Sequence, residues 1–375
     1  MNKNIALLTC FLDNCGACLQ AYALQETIKS LGYNVEIIKY TEPYGYYKAT
    51  ARNRSSLMDI YRCIRFKKFR DNYFSGMYRQ TAFNKFRKKH LRFSKEEYSS
   101  SDSLVPLPQK YDAFVCGSDQ IWNPLFYDKC NPAYYLSFVD ETTRKVAYAP
   151  SIGLFDIPEK YRADFVRYIE RIDFLSLREK HGCELVEKYT GRTADHVLDP
   201  TMLICADEWK KLIKSKRAAA PYVFCYLFGT HDYYTEVIER ISRQLNCEVK
   251  IFPVHERDLN PKFTQVRNTG PIEFLSLVNN ARFVITDSFH ATVFSLLFKK
   301  PFYTLLRDSD FETASMNSRV YSLLESVDLL DRLLTKEEAL NIQISMVNGF
   351  DQVEAKLNML RSKSKQYLKD ALGDT

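Results

Sequence analysis

The chain has 375 residues, 46% hydrophobic and 26% charged, a balance that excludes a collagen, a mucin and a disordered tail. The length suits roughly two domains, each able to bury its own core. The 53 Lys and Arg exceed the 46 Asp and Glu by seven, but fifteen basic and only two acidic residues lie between Lys48 and Lys95. That block is net +13 and the remainder net −6, so the protein is not a uniformly basic coat for nucleic acid.

Asn4–Cys10 reads as a short apolar strand. Ile5–Leu12 is too short for an export-signal core, and no small-residue cleavage site follows it. No stretch nears the ~20 apolar residues that cross a bilayer. A cytoplasmic protein is expected, able at most to dock at the inner face of the plasma membrane. Residues 17–31 place Leu19, Ala23, Leu24, Ile28 and Leu31 at helical spacing, with Gly32 as a C-terminal cap. Val35–Tyr40 is a second strand. Strand, turn, helix and strand within forty residues open a parallel α/β unit.

The ten cysteines, without an export signal, are expected to be reduced thiols. Cys15-Gly-Ala-Cys18 has redox spacing, but no second pair accompanies it. It reads either as a redox motif or as a turn that happens to hold two thiols.

The block from 44 to 100 is expected to be a basic helical insertion. Its cations alternate with Tyr61, Phe66, Phe69, Tyr73, Phe74, Tyr78, Phe83, Phe86 and Phe93. Aromatics among cations could stack on single-stranded nucleic acid, although no nucleic acid is expected as a partner. Leu57, Ile60, Tyr61, Ile64 and Phe69 suit an apolar stripe lying on an anionic membrane surface. The third reading is a solvated helix.

The α/β pattern then resumes. Strands are predicted at 111–116, 145–149, 173–177 and 196–198, with helices at 158–169 and 179–189. A Lys- and Ala-rich helix and linker occupy 205–220. A second series follows, with strands at 222–228, 248–253, 283–286 and 302–305 and helices at 233–245, 272–281 and 288–298. The fold class is therefore α/β, with two Rossmann-like domains facing a cleft. The expected division is 1–205, 206–345 and a tail, 346–375, whose helix packs back on the body. In such sheets ligands bind beyond the C-terminal strand ends.

The dinucleotide, P-loop, zincin and hydrolase signatures are absent. Asp308-Ser-Asp310 has the spacing of some metal-dependent sugar transferases, a pattern common by chance. Three segments say more. Gly117-Ser-Asp-Gln-Ile-Trp-Asn-Pro124 gathers Ser118, Asp119, Gln120 and Trp122 after a buried strand. These suit a sugar or small anion, or else a turn with an anchoring Trp. Ser176-Leu-Arg-Glu179 puts Arg178 where a strand becomes a helix, an anion site or an internal ion pair. Thr286-Asp-Ser-Phe-His290 places His290 at a helix N-terminus, where it can trade protons near neutral pH or serve structure.

Together these segments resemble the polysaccharide pyruvyl transferase family. The likeness also rests on Asn14-Cys-Gly-Ala-Cys-Leu-Gln20, Tyr148-Ala-Pro-Ser-Ile-Gly153, Val197-Leu-Asp-Pro-Thr201, Lys300-Pro-Phe302 and Asn317-Ser-Arg319. It implies a glycosyltransferase B-like fold. It also implies transfer of pyruvate from phosphoenolpyruvate onto two sugar hydroxyls as a cyclic ketal, during exopolysaccharide or capsule synthesis.

Under that resemblance His290 and Asp119 carry the catalysis. Arg178, Ser288, Arg319 and Asn317 hold the donor. Asn14, Gln20, Ser118, Gln120 and Trp122 line the acceptor side or cleft. No metal or cofactor is expected. The partners are phosphoenolpyruvate, a sugar or lipid-linked oligosaccharide and an anionic membrane surface touched through 48–95. Some family members have Arg-Leu-His where this chain has Ser288-Phe-His290, which shifts donor contacts toward Arg319, Arg307 or Lys299. The alternatives are a nucleotide-sugar glycosyltransferase of the same architecture and a non-catalytic basic binding module.

Overall fold

A computed structural model of the chain describes residues 3–41, 67–213, 220–307, 317–346 and 349–373, with the backbone alone at 67–75 and 256. The first half runs β1 (Asn4–Leu8), α1 (Cys15–Ser30), β2 (Asn34–Tyr40), α2 (Lys67–His90), β3 (Phe93–Tyr98), β4 (Ala113–Cys116), α3 (Pro124–Tyr127) and β5 (Arg144–Ala147). It continues through α4 (Glu159–Ile169), β6 (Phe174–Leu177), α5 (Lys180–Thr190) and β7 (Asp195–His196). The strands pair in parallel in the order β3-β2-β1-β4-β5-β6-β7.

The second half runs α6 (Ala206–Leu212), β8 (Tyr222–Tyr226), α7 (Tyr233–Leu245), β9 (Glu248–Ile251), β10 (Thr264–Gln265), α8 (Pro271–Asn280) and β11 (Phe283–Thr286). After these come α9 (Phe289–Leu297), β12 (Phe302–Leu305), α10 (Ser318–Ser326), β13 (Leu333–Leu334), α11 (Lys336–Leu340) and α12 (Phe350–Leu372). Its parallel sheet has the order β10-β9-β8-β11-β12-β13. The expected two-sheet α/β architecture is the one observed.

Local chemistry explains the elements. Asn14 caps α1, its Oδ1 accepting from the Gly16 and Ala17 amides at 2.8 and 3.3 Å. Central strands such as β4 are buried throughout, because helices cover both faces of a parallel sheet. One apolar cluster joins Leu7, Val115 and Val146 of the first sheet to Phe224, Val284 and Phe302 of the second. The halves thus share an interior. Trp209 on α6 helps to seal it, donating to the Thr201 carbonyl at 2.9 Å and lying 5.1 Å from the Phe294 ring.

The strand order reverses between β1 and β4 in the first sheet and between β8 and β11 in the second. Crevices open at such switch points. The last helix, α12, returns to the first half. Ser364 Oγ accepts from the Leu198 amide at 3.0 Å, Tyr367 donates to the Ala147 carbonyl at 3.0 Å and Arg361 Nε to the Met202 carbonyl at 2.7 Å. Among the described residues no helix is long and apolar enough to cross a membrane.

Part of the expected basic helix is instead a strand. Phe93–Tyr98 pairs with β2 at the sheet edge, where its charged side chains face water while Ser94 and Tyr98 turn inward. Phe83 and Phe86 on α2 are core residues, so they do not form a stacking surface for nucleic acid. The apolar stripe expected at 57–69 and the Asp308–Asp310 motif lie outside the residues whose side chains are described.

Candidate active site

The loop after β4 builds the first wall. Gly117 has φ +131°, and a Cβ there would fall 1.9 Å from the Tyr148 carbonyl oxygen, so only glycine fits. Ser118 Oγ then donates to the Ala149 carbonyl at 2.7 Å, and the Ser151 amide donates to the Asp119 carbonyl at 2.8 Å. These bonds lock the 117–123 loop onto the loop after β5.

Arg178, at the end of β6, is 3% exposed. Its Nη1 donates to Asp199 Oδ2 at 2.8 Å, and its Nη2 lies 3.4 Å from Asp119 Oδ1. The guanidinium sits 4.3 Å from the centre of the Phe289 ring, and its buried Nε has no hydrogen-bond partner. Asp199 is fully buried after β7, where its Oδ1 accepts from the Thr201 amide and hydroxyl at 2.9 and 2.6 Å. Burial alone would raise the Asp199 carboxyl. The facing His290 imidazole, the Arg178 guanidinium and the Thr201 hydroxyl outweigh that and hold it well below the usual carboxylate range.

The second sheet supplies His290 in the first turn of α9. Its Nε2 lies 3.6 Å from Asp199 Oδ2, an ion-pair distance just beyond a hydrogen bond, and has no other hydrogen-bond partner. The ring fills the space over Gly16, where a Cβ would fall 2.1 Å from Nδ1. The glycine of the Cys15–Cys18 turn is thus explained by contact with the imidazole. Both thiols of that turn are buried, and burial pushes Cys15 up to about 12 and Cys18 well up, which suits structural thiols. Among the described residues no cluster of His, Cys, Asp or Glu has a metal-holding arrangement.

Two more arginines approach. Arg307, after β12, donates from Nη2 to the Asp287 carbonyl at 2.9 Å and lies 3.3 Å from its Oδ1. Asp287 in turn accepts from the Phe228 and Gly229 amides at 2.8 and 2.6 Å. Arg319 on α10 is 7% exposed. Burial, then repulsion from Arg178 and Arg307, pulls its guanidinium down to about 9. A bound anion would relieve that crowding.

The predicted site residues divide accordingly. His290, Asp119, Arg178, Ser118 and Arg319 meet in one cluster, and Asn317 joins it by accepting the Arg307 amide on Oδ1 at 3.2 Å. Ser288 is the residue preceding α9, beside the reach of Arg307. Gln120 is half-buried, and its Oε1 accepts from Asn123 at 3.3 Å.

Trp122 does not face the cleft. It is 1% exposed, donates to the Tyr134 carbonyl at 2.9 Å and stacks on Tyr135 at 5.0 Å, because a flat indole finds more contact in that slot than in water. Gln20 is also internal. Its amide nitrogen bonds Thr9 Oγ1 and the Cys10 carbonyl, and its Oε1 accepts the Ser118 amide, so it braces the loop. Asn14 is spent on its cap. Lys299 is paired with Asp351 beyond the far end of α9, about 13 Å of helix away from His290.

Two contributors lie outside the sequence-predicted set. Asp199 stood in the Leu-Asp-Pro-Thr segment without an assigned role. Glu179 holds the loop after β5 through Ser151 Oγ, the Ile152 amide and the Gly153 amide at 3.0, 2.8 and 3.0 Å.

Among solved structures, the UDP-GlcNAc 2-epimerase of Methanocaldococcus jannaschii superposes with a TM-score of 0.53 at 13% identity, covering 97% of this chain and 99% of that one. The UDP-N-acetylglucosamine 2-epimerase of Rickettsia bellii gives 0.51 at 10% identity, covering 98% and 96%. At such identities the likeness is one of fold, two parallel α/β halves spanning both chains. No curated protein matches the sequence. Residues 14–309 match the family model described as polysaccharide pyruvyl transferase. That span takes in the strand-end loops bearing Asp119, Arg178, Asp199 and His290, and the chain belongs to the polysaccharide pyruvyl transferase family.

Proposed function

We propose that the protein moves pyruvate from phosphoenolpyruvate onto two hydroxyls of a sugar in a cell-surface polysaccharide or its lipid-linked precursor. The observation that carries this reading is the meeting of His290, from the second sheet, with the buried Asp199–Arg178 pair of the first, beside the crowded Arg319. The donor carries a phosphate and a carboxylate, and Arg319, Arg307 and the unpartnered Arg178 Nε offer cationic donors for both. Arg307, whose guanidinium reaches the Asp287 carbonyl next to Ser288, supplies the charge that an Arg at 288 brings elsewhere in the family.

His290 as imidazolium protonates the enol methylene, and Asp199 stabilises that charge. A sugar hydroxyl adds to the oxocarbenium-like carbon, phosphate leaves, and a second hydroxyl closes the ketal. Of the two hydroxyl protons lost, one balances that placed on the methyl carbon and one departs with phosphate. Asp119, tied to Arg178, orients the reacting groups.

Incubation with phosphoenolpyruvate and sugar acceptors should give a pyruvyl-sized mass gain matched by phosphate release. A hexose-sized gain from a nucleotide sugar, with no pyruvyl product, would replace this reading with glycosyl transfer. A second test isolates His290. Alanine is ordinarily the better helix residue, but Gly16→Ala puts a methyl into the imidazole. Transfer should fall by roughly 10²-fold in a variant whose melting curve shows that it still folds, at a midpoint lowered by the overpacking. Wild-type turnover in that variant would disprove the assigned place of the ring.

A further inference from the structure

A cleft of about 390 Å³ opens between α5 and α10 beside the buried cluster. Its lining follows the cluster's own residues along the chain. Lys180 and His181 come directly after Arg178 and Glu179, Asn317 and Tyr321 flank Arg319, and Phe155 lies two residues beyond Gly153 in the loop that Glu179 holds. Arg178 and Arg319 are buried in the cluster, whereas these neighbours face the opening. Asn317 touches both, lining the cleft and accepting the Arg307 amide.

The cleft differs in chemistry from the cationic cluster. Phe155 is 54% exposed and Tyr321 37% exposed. The His181 ring lies 5.2 Å from the Phe155 ring at 24°. It is fixed there by contacts from Nε2 to the Phe155 carbonyl at 2.6 Å and from Nδ1 to Glu184 at 3.1 Å. A preformed aromatic face therefore stands in water, edged by Lys180, the carboxylates of Glu184 and Glu325, two serines and the Asn317 amide. A pyranose has matching surfaces, with an apolar C–H face for the rings and a rim of hydroxyls for the polar groups.

We propose that this cleft is the acceptor subsite, holding a neutral pyranose against Phe155, His181 and Tyr321 with its hydroxyls turned toward the cluster. The assignment of the sugar as acceptor rests on the pyruvyl-transfer reading. The binding itself does not, and the experiment separates the two.

Methyl β-glycosides of glucose, galactose and N-acetylmannosamine, and a β-linked galactosyl disaccharide, would be titrated by saturation-transfer NMR into wild type, Phe155→Ala and Tyr321→Ala. Phosphoenolpyruvate would be titrated separately. Met359→Ala, which removes an exposed side chain on α12, is the control. At least one sugar should bind wild type and lose roughly tenfold or more in affinity in each cleft variant. The control and the phosphoenolpyruvate affinity should stay within about twofold. Sugar binding that is absent from wild type, or unchanged in the cleft variants, overturns the assignment. Sugar binding that is lost in the variants while wild type ignores phosphoenolpyruvate keeps the cleft and overturns the pyruvyl donor.

Discussion

His290→Gln is expected to lower turnover by roughly 10²–10⁴-fold while phosphoenolpyruvate still binds. Glutamine preserves size and polarity in the pocket over Gly16, so the loss isolates the proton. The other groups facing the reacting space are poor substitutes. Arginine keeps its charge, and Asp199 is held ionised by the imidazole and guanidinium around it. Phosphate release and glycan mass, measured on the same sample with a melting curve, check this directly. Near-wild-type turnover with an intact fold would move the acid–base role to another residue.

Asp199→Asn should harm both stability and turnover. The Arg178 guanidinium would keep only its 3.4 Å contact with Asp119 in a site closed to water. Stranding a buried charge in this way costs about 3–5 kcal/mol. Because the folded Asp199 carboxyl lies below its ordinary value of 3.8, its contribution is complete above that value. It declines as pH falls toward the lower folded value. The stability gap between wild type and variant should therefore be constant near neutrality and narrow only in acid. Chemical denaturation across pH tests this, and a gap that widens in acid would contradict the ionised carboxylate.

Periodicity carried most of the fold, because buried parallel strands and amphipathic helices announce themselves. Residues 283–286 and 302–305 have the same bounds in sequence and structure, and the tail's expected helix is observed. Phe93–Tyr98 hid because an edge strand may carry three successive charged residues, Lys95, Glu96 and Glu97, that a central strand cannot. For Trp122 the choice between a ligand wall and an anchor stays open in the sequence, because its slot is made by Tyr134 and Tyr135, in a segment without periodic pattern. Arg178 and His290 were visible from their places at strand and helix ends. Asp199 was not, since an Asp before Pro reads as a turn. Its meaning appears only when two strand ends and a helix from the other sheet are brought around it.

The return of α12 bears on the order in which the protein can mature. Leu198, next to Asp199, gives its amide to Ser364, 166 positions later in the chain. On the ribosome the Asp199 loop emerges long before that helix. Whatever early strands a nascent chain forms, its acidic loop lacks this tether until the helix has been made and docked. A chain stopped short of α12 would leave the Leu198 amide without this bond and bare the apolar surface that Val353, Leu357 and Leu368 cover.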